Sequence, residues 1–247
     1  MNALRGRRHE TDLRTPTVAT AARTADEQEE SAHHGLVERL VDLGVRRASG
    51  ADELVHELRR EDPDLTPAAL IQRLEKRYLR RASWLGAAVG SVATVPGVGT
   101  VSALGLTTVQ TVAFLSTSAR YVMAVASVHG VAPEDVERRR TLLLAALLGE
   151  EGAEAISGQL GLGTLYWAKA AFTKLPVGTV KAVNKALTRR LVKYGAARGG
   201  ALALGRLAPF GLGVVIGYAG TRKIAKNVVE GTTDAFGPAP ATFGGTS

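Results

Sequence analysis

The sequence predicts an all-α fold, a multi-helix bundle with Gly-rich apolar helices, on three observations. Thr66-Pro67 is a helix start, a capping residue followed by proline at the first helical position. Behind it Leu70, Ile71, Leu74, Tyr78 and Leu79 repeat at i, i+1, i+4, i+8 and i+9, which is one face of a helix. No stretch alternates apolar and polar with period two for long, so no sheet is expected.

The elements follow in order. Residues 1–33 are polar, mixed in charge and poor in aliphatics, with an acidic patch at 26–30, and read as a disordered tail. Leu36, Val37, Leu40, Val41 and Leu43 mark a short helix, and Leu54, Val55 and Leu58 mark a second. With the helix after Pro67 these form an amphipathic lead-in, residues 34–81, to a helical domain that ends at 237. The third helix is expected to run past Arg80-Arg81 towards Thr94. Residues 82–119 then carry no charge at all, and Val95-Pro96-Gly97-Val98-Gly99 divides them. The second piece is expected to stay helical to Val128, with Gly130 as its terminal glycine. Pro133-Glu134-Asp135 opens the next helix, with acids at the positive end of its dipole. Further helices are expected over 151–174, 177–205 and 212–234. The Pro/Gly/Thr-rich residues 238–247 read as a flexible tail.

A chain of 247 residues can bury a real core. It has no Cys, so it forms no disulfide and offers no thiolate to a metal. Arg5, Arg7 and Arg8 have no apolar run behind them, so an export signal is not expected and the expected location is the cytoplasm or the cytoplasmic face of the membrane. Chemistry is hard to find. His9, His33, His34, His56 and His129 read as solvated or structural, and no carboxylate stands between residues 76 and 133 to serve as acid or base. The glycines at 211, 213 and 217 are spaced G-x-G-x-x-x-G, with no strand before them, which is not a dinucleotide loop. No catalytic residue, cofactor or metal site is expected.

Charge is the strongest functional signal. The net charge is +8, yet residues 155–229 alone hold twelve Lys/Arg and no Asp/Glu. Lys181, Lys185, Arg189 and Lys193 recur every four residues and form a stripe on one helix. Val177, Val180, Leu187, Leu191 and Tyr194 can supply an apolar face to the same helix. Such a helix can lie in a membrane interface with its cations on anionic headgroups, each worth ~1 kcal/mol near the surface. Lys181, Lys185, Arg189, Arg190, Lys193, Arg222, Lys223 and Lys226 are therefore the candidate contacts for anionic lipid or another acidic partner. Nucleic acid is the weaker candidate, because no arrangement of aromatic platforms accompanies the cations.

The apolar tracts raise the question of insertion. Residues 82–95 cover about 21 Å as a helix, short of a ~30 Å hydrocarbon core. Residues 207–221 are short in the same way. Residues 98–119 are long enough, but Gln110 and several Ser and Thr oppose insertion. Gly86/Gly90 and Gly213/Gly217 fit G-x-x-x-G. With Gly97, Gly99 and Gly211 they are expected to let helices approach closely, in lipid or in a soluble bundle. A hairpin entering from the cytoplasmic side would keep Arg80-Arg81 and Arg138-Arg139-Arg140 inside.

Three tracts together resemble the EcsC family of bacterial helical proteins, named for a component encoded beside an ABC transporter. They are Val95-Pro96-Gly97-Val98-Gly99, the run from Ser118-Ala119-Arg120 through Val128-His129-Gly130-Val131-Ala132-Pro133-Glu134-Asp135 with Glu137 and Arg138, and Leu207-Ala208-Pro209-Phe210-Gly211-Leu212-Gly213 with Gly217. The resemblance covers roughly residues 50–237. It departs where His129-Gly130 replaces the family's usual Tyr-Gly, and near Thr107-Thr108, where an acid is often seen. It implies a membrane-related helical protein, with an ABC-transporter context for a protein partner, and supplies no catalytic residues.

The expected function is a non-catalytic, membrane-associated accessory protein bound through its basic C-terminal half. Two alternatives stand beside it: a soluble module for an acidic protein partner, and a helical enzyme in which Arg120, His129 and Asp135 share a cleft.

Overall fold

The computed structural model describes residues 18–92, 100–131, 133, 135–160, 166–169, 176–205 and 212–243. Side chains at 18–30, 33, 89–92, 100–107, 159–160, 194–205, 212–214 and 216 lie outside that description. The fold is all-α: eight helices and no strand among the described residues. They are α1 Val18–Arg46, α2 Ala51–Glu61, α3 Pro67–Val92, α4 Thr100–Val128, α5 Val136–Leu148, α6 Glu150–Leu160, α7 Val177–Gly205 and α8 Leu212–Phe236.

The helix ends have local causes. The Thr66 Oγ1 accepts from the Ala69 N–H at 3.3 Å, capping α3. Gly130 closes α4 with φ 69°, and the Val131 N–H reaches back to the Ala126 carbonyl at 2.9 Å, a Schellman closure. Asp135 caps α5 by accepting from the Arg138 N–H at 2.7 Å. Asp135→Ala is expected to lower stability by about 1 kcal/mol, and Asp135→Asn to keep most of it, read from denaturation midpoints. Equal losses in both variants would place the effect elsewhere than in the cap.

The core is organised around α5. Leu142, Leu143, Leu144, Ala145, Ala146 and Leu148 are all buried, so the second half of this helix is apolar around its whole circumference. It touches α1, α4, α6, α7 and α8. Around it the remaining long helices close a ring: α1 on α4, α4 on α3, α3 on α8, α8 on α6, α6 on α7 and α7 back on α1. Polar side chains fix two of these seams. Arg140 is buried on α5 and meets Glu38 at 3.3 Å and Asp42 at 3.1 Å on α1. Asn184 on α7 donates to the Glu137 carbonyl at 3.0 Å and carboxylate at 2.8 Å, and accepts from the Thr141 hydroxyl at 2.8 Å.

Two expectations about the tails are corrected. Residues 18–33, expected to be a loose tail, begin α1, which agrees with their Ala- and Glu/Gln-rich composition. Of the expected helix over 151–174, α6 to Leu160 and a helical turn at 167–169 are described, and residues 161–165 and 170–174 lie outside the described residues. The C-terminal tail is not free through Phe243, whose ring packs against the core beneath the Arg59 guanidinium, 4.1 Å from its centroid. Residues 1–17 and 244–247, the rest of the two tails, lie outside the described residues.

Candidate membrane-facing surface

Two surfaces carry the sequence-predicted residues. The first is the outer face of α7. Lys181, Lys185, Arg189, Arg190 and Lys193 are all exposed, because Val180, Val183, Asn184, Leu187 and Thr188 take the inward positions against the core. Lys181, Lys185, Arg189 and Lys193 have no ion-pair partner among the described residues. Arg190 donates to the Glu151 carbonyl at 2.7 Å, so it is partly committed to α6, whose exposed Glu150, Glu151 and Glu154 border the stripe. The apolar face expected to lie in a membrane is instead spent on the bundle, and Val177, expected on that face, is exposed. Tyr194 lies outside the described side chains. This helix can meet an anionic surface through its cations but not through its apolar side.

The second surface is one end of the bundle. Tyr78 on α3 hydrogen-bonds Ser118 on α4 at 2.8 Å and stacks on Tyr121 with ring centroids 4.6 Å apart. Burial pushes both phenols well above the ordinary tyrosine range, and the Glu75 carboxylate adds to the shift at Tyr121. These contacts set α3 and α4 antiparallel. Phe236 at the end of α8 meets His129 at the end of α4, with centroids 5.3 Å apart, so α8 also runs antiparallel to α3. The charge-free parts of all three helices, 82–92, 100–119 and 212–221, are thereby gathered at the same end.

Close approach of α3 and α8 fixes their register. A Cβ on Gly86 would overlap the Gly217 carbonyl oxygen and stand 2.7 Å from the Thr221 Cβ, so two of the predicted close-packing glycines face each other here. Gly90 and Gly213 lie on these helices outside the described side chains, and Gly97, Gly99 and Gly211 lie outside the described residues. Trp84 and Tyr218 meet edge-on at 6.3 Å on the outside of the same seam.

The outer stripes of both helices change character at one level. Towards the helix ends they present Trp84, 65 % exposed, with Ala88 on α3 and Val215, 64 % exposed, with Ala219 on α8. On α4, Val109 is 67 % exposed. About one turn towards the body, ~5 Å, stand Arg80 and Arg81 on α3 and Arg222 and Lys223 on α8, with Lys226 a turn further. None of these five cations has an ion-pair partner among the described residues. Sequence reasoning named the cations of α8 and noted Arg80-Arg81 but missed the Trp84–Tyr218 pair. The available signal was a lone Trp four residues beyond an arginine pair.

No family model, curated protein or solved structure matches this chain. What these surfaces can do is set by their geometry. One segment among the described residues, Thr108–Val128, is long and apolar enough to cross a membrane, yet 61 % of its most apolar stretch is buried in the bundle. It is the helix that packs α1, α3 and α5 together. Arg138, Arg139 and Arg140, expected to hold a hairpin's inner end at a membrane, are turned to internal partners instead: Asp135, the Pro133 carbonyl, and the pair Glu38 and Asp42.

A shared catalytic cleft finds little support. Arg120 donates to the Gly50 carbonyl at 3.0 Å between α1 and α2. His129 lies nine residues further along, about 13 Å by helical rise, against Phe236. Burial holds its imidazole below the ordinary histidine range. Asp135 is occupied in capping α5. Among the described residues no three His, Cys, Asp or Glu side chains converge as a metal site.

Proposed function

We propose that this chain is a non-catalytic, EcsC-like helical accessory protein that binds the anionic cytoplasmic face of a membrane through the cations of its C-terminal half. The observation that carries the reading is the exposed row of Lys181, Lys185, Arg189 and Lys193, without an ion-pair partner among the described residues, in a stretch of sequence free of acids. A merely solvated helix face mixes its signs, whereas the outer face of α7 carries cations only, with the glutamates of α6 at its border.

Flotation with vesicles tests it. The protein is expected to rise with anionic vesicles at low salt, to stay behind with neutral ones, and to be released as salt shortens the Debye length from ~10 Å at 0.1 M to ~3 Å at 1 M. Lys181, Lys185, Arg189 and Lys193 changed to Gln together should cost about fivefold in partitioning for each charge removed. Equal recovery with neutral and anionic vesicles would overturn the proposal. Salt-sensitive binding to an acidic polypeptide with no vesicle binding would move the cationic face to a protein partner.

A further inference from the structure

We infer that the charge-free end of the bundle, where α3, α4 and α8 come together, enters one leaflet of the bilayer, with Trp84 and Tyr218 at headgroup depth and Arg80, Arg81, Arg222 and Lys223 on the lipid phosphates. The inference rests on the membrane reading above and names a second, different surface for it. Three independent features coincide on this end. Large apolar side chains, Val109 and Val215, are about two-thirds exposed at its outer level. An aromatic pair sits just inside them, its rings amphipathic and suited to the boundary between acyl chains and water. A cationic collar follows within about one turn, ~5 Å, and long Arg and Lys side chains can reach phosphates from there. Apolar, aromatic and cationic bands in that order match the depth profile of a lipid leaflet.

The magnitudes decide between a leaflet and a span. Within the described residues α3 runs eleven residues past Arg81 to Val92, about 16 Å of helix, and α8 runs ten residues back from Arg222 to Leu212, about 15 Å. Both are close to half of a ~30 Å hydrocarbon core. Another copy of the chain is a poor occupant, because end-to-end contact would bring two cationic collars together.

The chain contains two Trp and no Cys, which makes the test direct. Trp167 is buried, 2 % exposed, so Trp167→Phe leaves Trp84 as the only reporter. With anionic vesicles its emission is expected to move to shorter wavelength and to be quenched by brominated acyl chains. Trp84→Ser should lower the partition coefficient by roughly tenfold, and Arg80→Gln and Arg81→Gln by about fivefold each. If Trp167→Phe does not fold, Val215→Cys carrying an environment-sensitive dye reports the same event from α8. Protein that floats with anionic vesicles while Trp84 and the dye at 215 stay in water overturns insertion and leaves surface binding standing. Absence of flotation overturns both.

Discussion

Leu143→Ala is expected to remove about 3–5 kcal/mol from the unfolding free energy, read as a fall in the denaturant midpoint by far-UV circular dichroism. Leu143 is fully buried on α5, and α5 is the helix that five others pack against. A cavity there cannot be closed by a shift of one neighbour, because α1, α4, α6, α7 and α8 are each held by one another as well. The cost therefore lies at the upper end of the range for leucine truncation, where lost transfer energy and an unrelaxed cavity add. Leu36→Ala on α1 is the control, since Leu36 is 50 % exposed and should lose well under 1 kcal/mol. Similar midpoints for the two variants would show that α5 is not the centre of the core.

The fold was legible because its signals were local. Thr66-Pro67, Gly130 and Asp135 sit at helix ends where the chain's own backbone needs them, and each ends or begins a helix in the structure. The misread tail at 18–33 shows the limit of composition: a polar, charged stretch rich in Ala and Glu is as compatible with an exposed helix as with disorder. The cationic row on α7 was equally plain, because a four-residue repeat fixes a helix face whatever surrounds the helix. Its apolar partner face was misassigned for the opposite reason. Whether the face of Val180, Asn184 and Leu187 looks at lipid or into the bundle, where Asn184 meets Thr141 and Glu137 on α5, is decided by a helix some forty residues away. The apolar end with its cationic collar was only half visible. Arg80-Arg81 and the charge-free run were on view, but antiparallel packing of α3 against α8 is what brings Trp84 to Tyr218 and Arg81 to the level of Arg222. No spacing within either helix encodes that register.

That register can be broken with one residue. Gly86→Leu is expected to lower stability by about 3 kcal/mol, at the upper end of what overpacking costs, because the obstacle is backbone. A side chain at 86 meets the Gly217 carbonyl and Thr221, and neither can turn aside as the tip of a flexible side chain would. The helices must separate, and α3 against α8 is the longest seam in the bundle. Gly35→Ala on α1 should move the other way, since nothing lies within 4 Å of a Cβ there and a helical glycine replaced by alanine gains about 0.5–1 kcal/mol. Opposite signs from two glycines in helices of the same protein isolate packing from helix propensity. A Gly86→Leu protein with the wild-type midpoint would mean that α3 and α8 do not touch at this point. The apolar tip and its collar would then be features of separate helices rather than of one surface.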